Sequence, residues 1–168
     1  MQLDLFSDNG PPTDRRVQKD ADICPAELDD DALLLAIPES GLKHGPDLVL
    51  EAGRRGIVAA VPVIERYCRR LAGFEVVREQ EAALQALAGI GGSEARAAVG
   101  RIINEAIVQG PTLKIAMDVA ARLKCILPVR TVSPLLRHAD PDIRADACNC
   151  TSDPTIISAL VDLLQDDT

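Results

Sequence analysis

Tryptophan is absent from the 168 residues, and one tyrosine and two phenylalanines are the whole aromatic complement. Sheet cores normally use aromatic and β-branched residues, so this scarcity argues for closely stacked helices with an interior of Ala, Leu, Ile and Val. Histidine is almost missing as well, present only as His44 and His138, both placed by the pattern at helix ends or turns rather than in a proton-transfer setting. No apolar run is long enough to span a bilayer, and no secretory signal is legible. The cysteines (Cys24, Cys68, Cys125, Cys148 and Cys150) are odd in number and scattered, a pattern of reduced thiols rather than of a disulfide framework. These absences predict a cytoplasmic protein that touches no membrane and holds no metal or cofactor.

What is present is apolar and acidic. Hydrophobic residues make up 47% of the chain, and its length suits one compact domain or a few stacked repeats. The net charge of -8 is lopsided, because the first 32 residues hold nine acids against Arg15, Arg16 and Lys19. The body that follows is close to neutral, and the acidic end repels nucleic acid, so direct nucleic-acid binding is not expected. Residues 1–27, with Asp8-Asn9-Gly10-Pro11-Pro12 and no sustained periodicity, are predicted to be a disordered acidic tail. Residues 28–168 are predicted to fold.

The folded part opens with a short helix, in which Asp29 and Asp30 cap the run Ala32 to Ile37 and Pro38 stops it. Proline then marks further helix starts at Pro46-Asp47-Leu48, Pro111-Thr112-Leu113 and Pro141-Asp142-Ile143, since the first turn has no use for the missing N–H. A weaker start falls near Phe74 to Val77. Breaks at Gly53 to Gly56, Gly89 to Gly92, Pro128 and Ser152-Asp153-Pro154 divide each unit into a first and a second helix. On the second helices, Ile57, Val61, Ile64, Cys68 and Leu71 form one apolar stripe, and Ala95, Val99, Ile102 and Ala106 another. Each pair then has an apolar face that only its neighbours can cover.

The segment Leu135-Leu136-Arg137-His138-Ala139-Asp140-Pro141-Asp142-Ile143-Arg144-Ala145-Asp146-Ala147 resembles the inter-repeat turn of HEAT repeats of the phycobilisome-lyase type. Leu87-Ala88-Gly89-Ile90-Gly91-Gly92 is similar to the Gly-rich turn inside such a repeat, and Leu160 to Asp167 to another second helix. The resemblance covers residues 44–168, is weakest before residue 75, and is broken by Pro62 inside a second helix. It implies an all-α fold, a short right-handed α-solenoid of about four HEAT-like helix pairs, acting as a non-catalytic scaffold for a protein partner. Within the turn, Asp142 suits the helix N-terminus and Arg144 can reach the carboxylates or carbonyls of the adjacent turn, a structural role that holds one repeat against the next. Phycobilin handling, an activity of part of that family, needs a tetrapyrrole site that cannot be located in this sequence.

No nucleophile, phosphate loop or calcium loop is recognisable, so catalytic residues are not assigned. Two binding features stand out. Arginines recur on the second helices, and Arg66, Arg70, Arg101 and Arg137 could grip a phosphate or an acidic protein segment from the concave face. The alternative is pairing on ordinary wet faces, as Arg101 with Glu105 at i,i+4 would. The other feature is Gln2-Leu3-Asp4-Leu5-Phe6, which resembles the pentapeptide by which bacterial polymerases and repair proteins dock on the replicative sliding clamp. Leu5 and Phe6 would fill an apolar cleft while Gln2 anchors by hydrogen bonds; alternatively the same residues tuck onto the chain's own surface. Finally, the helix expected over Thr155 to Gln165 is apolar around most of its circumference, which predicts a shortened solenoid or cover by a partner or a second copy.

Overall fold

The computed structural model describes residues 24–70 and 77–158. Among them every regular element is helical and no strand occurs: α1 (Asp30–Glu39), α2 (Gly45–Arg54), α3 (Val61–Arg70), α4 (Val77–Ile90), α5 (Gly92–Asn104), α6 (Gly110–Arg122), α7 (Val129–Leu135) and α8 (Pro141–Asn149). The chain is helical again over 154–158. The expectations placed on the pentapeptide Gln2 to Phe6, on Leu71 and Phe74, and on the last helix beyond residue 158 lie outside the described residues.

The caps act where the sequence placed them. The Asp29 carboxylate accepts from the Ala32 amide at 2.8 Å, closing the start of α1, and the helix ends one residue past Pro38. Proline occupies the first turn of α2, α6 and α8. Pro62, expected to interrupt a second helix, also sits in a first turn, because Val58–Ala60 forms a short 3-10 turn and α3 starts only at Val61. Its missing N–H therefore costs nothing. Residues 25–27, assigned to the tail by composition, form a 3-10 turn held from α2. The Arg55 guanidinium donates to the carbonyls of Pro25, Ala26 and Leu28 at 3.0, 3.2 and 2.7 Å.

Three helices end in one way. After α2, the Gly56 and Ile57 amides return to the carbonyls of Gly53 and Ala52, with Gly56 at φ +66°, the paired hydrogen bonds of a Schellman turn. Ala106 (φ +51°) after α5 and Lys124 (φ +54°) after α6 make the same paired returns, to Ile103 and Ile102 and to Ala121 and Ala120. This corrects the stripe drawn through Ala95, Val99, Ile102 and Ala106. The first three are buried, but Ala106 lies beyond α5, exposed, where the left-handed backbone has turned the chain away.

Packing arranges these helices in two layers. In one, α2 lies on α4, α4 on α6 and α6 on α8; in the other, α1 lies on α3 and α3 on α5. Successive helices join the layers, α1 to α2, α3 to α4, α4 to α5, α5 to α6 and α7 to α8. A single apolar core runs between them from Leu33 and Ile37 through Ile64, Leu87 and Ile102 to Ile143 and Ile156.

The tightest crossing is α2 on α4. A Cβ placed on Gly53 would stand 2.5 Å from the Ala86 Cα, and one on Gly89 would stand 3.0 Å from the Gly53 carbonyl oxygen. Both obstacles are backbone and cannot swing aside. By contrast, a Cβ on Gly100 in α5 would meet only a Leu127 methyl at 4.0 Å. Two glycine-to-alanine changes in helices therefore have opposite signs. Gly53→Ala should lower unfolding free energy by about 1–3 kcal/mol through overpacking, and Gly100→Ala should raise it by about 0.5–1 kcal/mol through lost chain entropy in the unfolded state. Urea titration followed by circular dichroism reads both; equal effects would contradict the close crossing.

Candidate binding groove

The second helices carry the arginines that the sequence singled out, and the fold uses two of the four internally. Arg70 donates to the carbonyls of Pro38 and Ser40 at 2.7 and 2.9 Å, satisfying the end of α1. Its guanidinium also lies 4.6 Å from the centroid of the Tyr67 ring. Arg101 makes a bidentate pair with Glu65 of α3, at 2.9 and 2.7 Å. Arg66 and Arg137 are exposed and form no ion pair among the described residues; Arg137 lies past the end of α7. The i,i+4 pair of Arg101 with Glu105 is not formed. Glu105 instead takes Arg69 of α3, because the side-by-side packing of α3 and α5 offers partners across the helices.

The result is a crossed network. Glu65, only 8% exposed, accepts from Arg101 and from Arg69 at 2.8 Å, and Arg69 continues to Glu105. The Arg101 guanidinium first, then Arg69, holds the Glu65 carboxyl below the usual carboxylate range against its partial burial. Further along the same layer, Thr131 of α7 donates to the Asn104 side chain at 2.9 Å. The second helices are thus tied to one another by polar links, with Arg66 and Arg137 left on the surface.

The first helices are shaped differently. Glu81 and Gln85 of α4, Lys114, Ile115, Asp118, Val119 and Arg122 of α6, and Asp142, Ala145 and Asp146 of α8 line a groove of about 530 Å³. Its cations are engaged, Lys114 with Asp142 at 2.5 Å and Asp140 at 3.3 Å, Arg122 with Asp118 at 3.5 Å. Glu81 accepts from Gln85 at 2.8 Å. Partial burial first, then the neighbouring charges of Asp118 and Asp142, pushes the Asp146 carboxyl upward.

At one end of the groove, the Asp-Pro turn is closed by local hydrogen bonds. The Asp140 carboxylate caps α8 by accepting from the Asp142 amide at 2.9 Å, and Arg144 donates to the carbonyls of His138 and Ala139 at 2.9 and 3.0 Å. The Asp142 amide, then Lys114, keeps the Asp140 carboxyl low. His138 Nδ1 accepts from the Asp140 amide at 3.0 Å, so the ring is part of the turn.

Sequence reasoning missed the groove because it followed cations on second helices. The signal was a polar residue directly before a buried small one in each first helix: Glu51-Ala52, Gln85-Ala86, Asp118-Val119 and Asp146-Ala147. Thiol chemistry has little footing in the interior, where burial pushes Cys68 and Cys150 up to about 12. Cys24 and Cys148 are exposed, whereas Cys68, Cys125 and Cys150 are buried. Among the described residues no group of His, Cys, Asp and Glu is placed to hold a metal ion, and no helix is long and apolar enough to cross a membrane.

No family model matches the chain, and it matches no curated protein and no solved structure.

The Glu65 network generates a pH dependence. A carboxyl lowered in the folded state contributes stability that is present above its unfolded value, near 4.3, and is lost as pH falls through the folded value. Stability should therefore fall on acidification below about pH 4.5. In Glu65→Gln this part of the loss should be absent, with stability at neutral pH reduced by about 1–2 kcal/mol, an amount kept small because both arginines are open to water. Denaturation curves between pH 3 and 7, wild type against variant, check it; parallel profiles would remove the network's role.

Proposed function

We propose that this chain is a non-catalytic, HEAT-like repeat scaffold that binds a protein partner, its helix pairs stacking as a short right-handed α-solenoid. The observation that carries the reading is the groove built from three successive first helices, α4, α6 and α8. A surface assembled by repetition, with no nucleophile or metal cluster at its floor among the described residues, suits recognition of a chain segment better than chemistry on a small molecule. The layered packing of α2, α4, α6 and α8 against α1, α3 and α5 supports the solenoid. Direct nucleic-acid binding is disfavoured by the carboxylates of the groove and by the acidic first 32 residues.

A second reading rests on Gln2-Leu3-Asp4-Leu5-Phe6, which would recruit the scaffold to the replicative sliding clamp as a DNA-associated accessory protein.

Affinity capture separates the readings. The immobilised chain should retain a stoichiometric protein from its native extract, and Ala145→Arg, which fills the groove from an exposed position, should reduce retention at least tenfold. Loss in Arg66→Glu with Arg137→Glu instead would move the site to the second helices. Retention of purified clamp, abolished by Leu5→Ala with Phe6→Ala, would establish the second reading. A chain that captures nothing defeats both.

A further inference from the structure

The groove also limits what kind of partner it can take. Its lining holds four carboxylates, Glu81, Asp118, Asp142 and Asp146, against two cations, Lys114 and Arg122. Both cations already face carboxylates of the chain itself, at 2.5 Å from Asp142 and 3.5 Å from Asp118. Glu81 and Asp146 have no cationic partner among the described residues. They belong to α4 and α8, on either side of α6, where the half-buried Ile115 is the apolar side chain that reaches the surface while Val119 is buried, so negative charge brackets a narrow apolar strip. The partial burial and like-charged neighbours of Asp146 make its ionised form costly, and an arriving cation would relieve that cost. An anionic segment would add a like charge to a concave site, where the field is strongest.

We propose that the groove across α4, α6 and α8 docks a segment of a partner protein in which Lys or Arg side chains alternate with aliphatic ones, the cations reaching Glu81 and Asp146 while the aliphatic groups lie on Ile115 and Ala145. This inference rests on the scaffold reading and gives it a partner chemistry. Lys114 lies against Asp140 and Asp142.

The test uses the full-length chain and two fluorescein-labelled, capped nonapeptides, one alternating Arg with Leu and the other Glu with Leu, read by anisotropy at low and high salt. The basic peptide should bind at low salt and weaken as salt rises, and the acidic one should not bind. Glu81→Gln with Asp146→Asn should weaken the basic peptide at least tenfold. Glu39→Gln with Glu94→Gln, which removes the same charge from exposed positions outside the groove, should change binding less than twofold. Equal weakening by the two double variants would reduce the effect to net charge and overturn the proposal. So would a basic peptide that fails to bind. If that failure accompanies captured protein that Ala145→Arg still releases, the scaffold reading survives and only the basic-segment inference falls.

Discussion

Backbone meets backbone where α2 crosses α4, and much of the architecture follows from that approach. With Gly53 against Ala86, and Gly89 over the Gly53 carbonyl, nothing larger than a methyl group separates the two helices at this point. A chain with three aromatic rings in all cannot fill wide gaps between helices, so it closes them by using small residues at the crossings. Ala52, Ala86, Ala95, Ala98, Ala116, Ala120 and Ala147 are buried along the same core. Each helix then needs a neighbour on either side, and the even-numbered helices form one row while α1, α3 and α5 form another.

The two rows are secured in different ways. Among the second helices the links are charged and cross from α3 to α5 through Glu65, Arg69, Arg101 and Glu105. The first helices rely on small-residue contact near the beginning of the row and on Lys114 bridging to the Asp140 turn near its end. Because the exposed sides of the first helices are not used for such cross-links between α4 and α6, a concave, acidic surface is left between them.

Capping chemistry and proline position carry strong local signals, which is why the starts of α1, α2, α6 and α8 are legible in Asp29, Pro46, Pro111 and Pro141 alone. The ends were harder. Gly56 announces its turn, whereas Ala106 and Lys124 adopt the same left-handed conformation without a glycine, at a steric cost of roughly 1 kcal/mol each that the paired hydrogen bonds and burial of the following residue offset. Pro62 misled for a related reason, since a short 3-10 turn shifted the helix start past the expected point. The arginines were legible as charges but not as partners. Whether Arg101 meets Glu105 along its own helix or Glu65 on another depends on how α3 and α5 lie together, which periodicity does not encode. The groove was the least legible, because it exists only once three helices distant in sequence are side by side.

Tyr67 is the chain's one tyrosine, and tryptophan is absent. Its ring is 2% exposed, wedged against Gly45 at the start of α2 and covered by Arg70. Ultraviolet emission from the native protein therefore originates almost entirely at the corner where α1, α2 and α3 meet. It reports the opening of that corner and is blind to the distant α6 and α8, so fraying that begins at the far end of the row would be spectroscopically silent.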